Sequence, residues 1–227
     1  MARLYPLTGV LLPETPRFST EGHLTATLAP GGGEWVYEQF SGKVGSSDIS
    51  GKLAFSASNP RKRLTGEVHS RLLQLSDLGP LVGADSSASK KERGVPSTQP
   101  AGRVLPGETF KTERWTSLDA DVRYTADNIT RDAQLPISKL DTHVVLSDGV
   151  LSLTPLNFNV AGGTLTSQIK LDGSGKVIPN GIAAELKASA RHLRIKQLFP
   201  RLPALQASVG EINGDASLSA TGNSVAS

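Results

Sequence analysis

The sequence predicts an all-β protein, an antiparallel, repeat-built curved sheet that is groove-like or sandwich-like, with one or two short helical turns. Three observations predict it: apolar and polar residues alternate with period two, turn signals separate the alternating segments, and one half of the chain matches the other at a fixed shift.

The alternation recurs along the chain. Leu24, Ala26 and Leu28 share one parity, and Ile49, Leu53 and Phe55 another. Leu64 and Val68 follow, then Leu118, Ala120, Val122 and Tyr124. Leu165, Ile169 and Leu171 come next, and Ala184, Leu186, Ala188 and Ala190 close the series. Thr, Ser, Lys, Asp, Glu and Gln fill the gaps, which is the pattern of strands with one buried and one wet face. Turns are expected at Gly31-Gly32-Gly33, Asn59-Pro60, Asp148-Gly149, Gly162-Gly163 and Asp172-Gly173. Asp148-Gly149 fits a type I′ hairpin, whose two central residues need positive φ. Helix is expected only near Leu75–Leu81 and Ile195–Leu202, where Pro80, Pro200 and Pro203 cut it short.

The repeat sets the domain organisation. At a shift of 116 residues, Leu24 falls on Leu140, Gly33 on Gly149, Val44 on Val160, Ile49 on Leu165, Leu53 on Ile169 and Phe55 on Leu171, without a gap. At a shift of 120, Leu73-x-Leu75-x-x-Leu78-x-Pro80 meets Leu193-x-Ile195-x-x-Leu198-x-Pro200. Alternation alone has two phases and matches easily, but matched turns together with a matched ending do not. The units drawn from this are 1–83 and 104–207, with a polar linker at 84–103 whose Ser, Lys, Glu and Pro cannot bury enough apolar area to offset ordering. A third, truncated unit occupies 208–227, where Ile212-Asn213-Gly214 reads like Ile49-Ser50-Gly51.

Composition narrows the function. A net charge of +3, with 21 acidic among 24 basic residues, gives no footprint for nucleic acid. Arg61-Lys62-Arg63 and Lys90-Lys91 read as solvated loops. Without cysteine there is no disulfide scaffold, thiolate metal site or cysteine nucleophile. No run of 18 apolar residues is present, and Pro6 and Gly9 break the mildly apolar start, so an export signal or anchor is expected outside this stretch of sequence. His23, His69, His143 and His192 stand singly, without metal-ligand spacing. Asp119 and Asp121 fall on a solvated strand face. Gly173-Ser174-Gly175-Lys176 lacks the first glycine and the final Ser/Thr of a phosphate loop, with Lys170 and Val177 in those places. We therefore expect no enzyme, no catalytic residue, no metal and no cofactor.

One family shares this arrangement of patterns. Phe40-x-Gly-x-Val44-Gly-x-Ser-Asp48-Ile-x-Gly51-x-Leu53, then Leu64-Thr65-Gly66 and Leu73-x-Leu75-x-x-Leu78-Gly79-Pro80-Leu81, resembles the C-terminal repeat region of AsmA-family proteins. Asp148-Gly149-x-Leu151-x-Leu153-x-Pro155-Leu156-x-Phe158-x-Val160-Ala161-Gly162-Gly163 and Leu171-Asp172-Gly173 repeat the likeness, which spans nearly everything but the linker. The resemblance implies a periplasmic body held at the inner membrane by a segment outside this sequence. It also implies a part in outer-membrane biogenesis, with larger relatives thought to conduct phospholipid along curved sheets. It carries over no catalytic or ligand residue.

Physics supplies a reason for a groove, since alternating strands with too little helix to cover them leave one continuous apolar face. The expected wall is Leu53, Phe55, Val68, Val122, Phe158, Val160, Leu165, Ile169 and Leu171, holding phospholipid or another acyl-chain ligand; the plainer alternative is that these residues form a closed core. A second reading is an assembly factor that meets envelope proteins through exposed strand edges. A carbohydrate-binding sandwich is disfavoured because only Trp35 and Trp115 could offer stacking platforms.

Overall fold

The structure, a computed structural model, describes residues 17–57, 60–75, 77, 115–130, 137–179, 181–200 and 202–222. Ten strands run in chain order: β1 (Phe18–Ala29), β2 (Gly32–Val44), β3 (Ser47–Ser56), β4 (Lys62–Gln74), β5 (Leu118–Thr130), β6 (Ile137–Ser147), β7 (Val150–Val160), β8 (Gly163–Asp172), β9 (Ile182–Arg194) and β10 (Glu211–Gly222). Two single-turn helices, α1 (Ile195–Leu198) and α2 (Pro203–Gln206), sit between β9 and β10. The strands form one open curved sheet in sequential order, with β1 and β10 as its edges.

The turn chemistry matches the geometry. Asp148 (φ 52°) and Gly149 (φ 79°) make the β6–β7 hairpin. Ala161 and Gly162 do the same between β7 and β8, at φ 49° and 77°, one residue before the expected Gly162-Gly163. The helix near residue 195 ends at Leu198, and Pro203 opens a second turn at its preferred first position.

One pairing departs from the sequence expectation. All neighbours are antiparallel except β4 and β5, which run parallel from Lys62↔Leu118 to Gln74↔Thr130. Alternation is the same for both strand directions, so period two cannot reveal it. Parallel pairing needs a connection that returns the length of the strand, and the segment 75–117 is long enough to do so. The connection 195–210 contains the two helical turns and leaves β10 antiparallel to β9. The linker assigned to 84–103 lies outside the described residues.

The internal match carries into three dimensions. At a shift of 116, β3 lies on β8, and at 120, β4 lies on β9, end for end. Leu53 and Ile169 fall on the same face, linked through the register Leu53↔Gly66↔Val122↔Val144↔Leu153↔Ile169. The start of the third unit is offset, since Leu218 shares its row with Leu53 and not with Phe55, the residue the sequence pairing gives it.

The core lies toward one margin of the sheet, where β4, β5, β7 and β9 end. Leu73, Ala126, Ile129 and Leu140 are buried there, with Tyr124, Leu156 and Phe158 packed against them. Val160, Ala161 and Leu193 form a second cluster, covered in part by Leu198 of α1. We call this the capped margin, and the opposite side, where β3 passes to β4 and β8 to β9, the loop margin.

Candidate functional site: an apolar face along the sheet

Register assembles the site from residues far apart in sequence. One row crosses all ten strands: Leu24, Tyr37, Leu53, Gly66, Val122, Val144, Leu153, Ile169, Leu186 and Leu218. Beside it, toward the loop margin, run Ala26, Trp35, Phe55, Leu64, Ala120, Leu146, Leu151, Leu171, Ala184 and Ala220. Glycine at position 66 is the sole break in two otherwise apolar rows.

All nine residues expected from sequence fall on this face. Leu53, Val122 and Ile169 stand in the first row, and Phe55 and Leu171 in the second. Val68, Phe158 and Leu165 lie toward the capped margin, together with Val160. Eight are half-buried, and Val160 alone is buried, at 6% exposure. Exposure rises at the edges, to 59% for Leu24 and 61% for Leu218.

Sequence reasoning missed much of the wall, including Trp35, Tyr37, Leu146, Leu151, Leu153 and Leu156. Bulges hide part of the face by shifting the phase of alternation. The ladder slips between Tyr37 and Phe40 around Gln39, whose φ is 50°, so an odd and an even residue share a face. A second slip between Leu153 and Leu156, at the cis Thr154-Pro155 bond, does the same for those leucines. A signal was present in the 116-residue shift, which carries Trp35, Tyr37, Phe40 and Phe55 onto Leu151, Leu153, Leu156 and Leu171. One end of the face is therefore aromatic, with Trp35 and Phe55 centroids 5.6 Å apart and Tyr37 stacked on Phe40 at 5.1 Å. The other end is aliphatic.

A few hydroxyls interrupt the apolar face near the capped margin. Ser70 and Tyr124 share a 2.8 Å hydrogen bond, and burial pushes the Tyr124 phenol above its usual value while that bond opposes the shift. The Ser167 hydroxyl donates to the Leu156 carbonyl at 2.6 Å. Thr142 is 4% exposed and its Oγ1 has no partner.

The opposite face is wet and charged. Ion pairs from Lys52 to Glu38 at 2.5 Å and Arg123 to Asp141 at 3.1 Å, and a hydrogen bond between His143 and Asp121 at 2.7 Å, stitch neighbouring strands. Arg61 and Arg63, read from sequence as solvated, bridge the parallel joint to Asp119 (3.3 Å) and Asp121 (3.5 Å). The His143 hydrogen bond holds the Asp121 carboxyl below its ordinary value. Three histidines each contact a carboxylate of the next strand, His69 on Asp127, His143 on Asp121 and His192 on Glu211. Ser174, in the glycine-containing loop, is engaged by the Asp172 carboxylate through N–H and Oγ–H at 3.0 and 2.6 Å. Among the described residues no group of three His, Cys, Asp or Glu is placed to hold a metal, and no helix is long and apolar enough to cross a membrane.

A long open sheet with one apolar and one charged face defines a class of protein, the repeat-built open β sheets. Comparison with known proteins supplies the family. The AsmA family model matches residues 1–227, and a curated relative, AsmA family protein YhjG of Escherichia coli (strain K12), is 44% identical over 231 residues. The chain belongs to the AsmA family, whose members are associated with the bacterial envelope. The match covers 98% of this chain and 33% of that relative, so the chain spans about a third of its length. No solved structure matches the chain.

Proposed function

We propose that this chain is a non-enzymatic, periplasmic segment of an inner-membrane-anchored protein that acts in outer-membrane biogenesis by holding or conducting phospholipid along its apolar face. The observation that carries this reading is the pair of apolar rows crossing all ten strands, half-buried in the middle strands and exposed at the edges, with no second sheet over them among the described residues. An acyl chain laid across strands spaced about 4.8 Å apart meets an apolar side chain at nearly every step. Aliphatic contact of this kind is non-directional and roughly proportional to the area removed from water, so it holds a chain without fixing its position, as a conduit requires.

The test is native mass spectrometry of the gently extracted protein, wild type beside Phe55→Glu and Ile169→Glu. Wild type is expected to carry phospholipid, and the variants to fold and lose it, because a groove-wall carboxylate stays hydrated while repelling acyl chains. A lipid-free wild type, or variants that retain lipid, would sink the conduit reading. Variants that melt far below a lipid-free wild type mark a closed core, since a buried unpaired carboxylate costs several kcal/mol, on the order of a small domain's whole stability.

A second reading is a scaffold for outer-membrane protein assembly that works through protein-protein contacts without lipid. It predicts capture of a partner strand by the lipid-free protein.

A further inference from the structure

The connection between β9 and β10 combines features that the apolar face does not explain. From residue 186 to 210 the chain carries Lys187, Arg191, Arg194, Lys196 and Arg201 and no Asp or Glu, although acidic and basic residues are nearly balanced overall. The same stretch displays large apolar side chains to solvent: Phe199 at 44% exposure, Leu202 at 50% and Val209 at 97%. Single exposed apolar residues are ordinary, but three within 199–209, close in sequence to the exposed Arg194 and Lys196, are not.

The protrusion is pinned at its base. Leu198 packs on Val160 and Leu193. The Ile195 N–H donates to the Gly210 carbonyl at 3.1 Å, closing the loop. The Leu202 N–H donates to the Phe199 carbonyl at 3.1 Å, and Gln206 Nε2 donates to the same carbonyl at 3.0 Å. These bonds fix the backbone that carries Phe199 and Leu202, so little ordering remains to be done on docking. Arg191 and His192 are engaged by Asp215 and Glu211, whereas Arg194 and Lys196 are exposed at the start of the turn.

We propose that this turn is a docking surface for an anionic lipid bilayer, with Phe199, Leu202 and Val209 entering the interface and Arg194 and Lys196 meeting lipid phosphates. Charge decides the partner, because a stretch without a carboxylate complements a negatively charged membrane, and apolar tips flanked by cations are the composition of interfacial segments. Size agrees, since three side chains on one turn fall well short of the roughly 800 Å² per side that a stable protein interface buries. Docking there would set the capped margin, at the β9–β10 end of the sheet, against a bilayer. The inference stands apart from the lipid-conduit reading.

The test is co-flotation of the chain with vesicles of phosphatidylcholine, with and without phosphatidylglycerol. Wild type is expected to float with the anionic vesicles, to float weakly with neutral ones and to be released by salt. Arg194→Glu/Lys196→Glu should cut the bound fraction at least about tenfold, and Phe199→Ser/Leu202→Ser should cut it with the charges intact. All four sites are exposed, so circular dichroism is expected to be unchanged. Arg63→Gln, on the charged face away from the turn, should float like wild type, which separates docking at the turn from a general loss of surface charge. Equal flotation on both vesicle types, no flotation, or flotation that survives both double substitutions would overturn the proposal.

Discussion

Thr142 illustrates how a single atom is judged. Its hydroxyl is buried on the apolar face with no hydrogen-bond partner, while neighbouring Ser70, Tyr124 and Ser167 each have one. An unpaired buried hydroxyl costs about 1–3 kcal/mol, and an isosteric apolar group avoids that cost. Thr142→Val should therefore stabilise the protein by about 1 kcal/mol, read from urea unfolding midpoints at constant slope. Gly66 lies at the other extreme. Its φ is 149°, and a Cβ there would stand 2.1 Å from the Lys52 carbonyl oxygen. Backbone in a ladder cannot yield as a side-chain tip can, so Gly66→Ala should cost about 2–4 kcal/mol. The gap that Gly66 leaves in the first row is therefore imposed by close approach of β3 and β4.

At the scale of elements, the β6–β7 hairpin depends on charge as well as turn chemistry. Hydrogen bonds from Lys176 (2.6 Å) and Arg61, with their attraction, hold the Asp148 carboxyl below its usual value. A carboxyl depressed in the folded state contributes stability above its unfolded value, and that contribution is lost as pH falls through the folded one. The thermal midpoint should stay level from neutral pH down to roughly pH 4 and fall below it. Asp148→Asn should flatten part of that acid slope, because the amide no longer titrates.

Strand existence was legible because alternation is a local property. Asp148-Gly149 was legible because both residues tolerate positive φ. The parallel direction of β5 was not, since a strand read from either end alternates alike. Neither was the common face of Leu153 and Leu156, which a bulge creates by shifting phase. The nine residues named from sequence share one face because each sits in an unbulged run, and Trp35, Leu146 and Leu151 were missed because no cross-strand register was in hand. The basic, acid-free run at 186–210 was not singled out from sequence. Its exposure needed coordinates, because Leu198 and Phe199 are adjacent residues of which one packs on the core and the other points to water.

At the scale of the molecule, each strand packs chiefly with its two neighbours in the sheet. Stability in such an array is close to a sum of nearest-neighbour terms, so it frays from the ends. Hydrogen exchange should therefore be fastest in β1 and β10 and slowest in β5 to β7, around the buried cluster of Leu73, Ala126, Ile129 and Leu140. Uniform protection across all ten strands would show that the array opens as one unit.

The parallel joint has a consequence for symmetry. β1 to β4 are an even set, so an antiparallel continuation would begin its next copy in the same direction. β5 is one strand too many, and paired antiparallel it would have turned the second copy head to tail, placing its equivalent turns on the opposite side of the sheet. Because β5 runs parallel to β4, the extra strand cancels itself, and β1, β6 and β10 all set out from the capped margin. The copies are thus related by a screw along the sheet and never by a two-fold axis. The apolar face consequently has two unlike margins, and anything laid across it would meet the same margin on the same hand from one copy to the next.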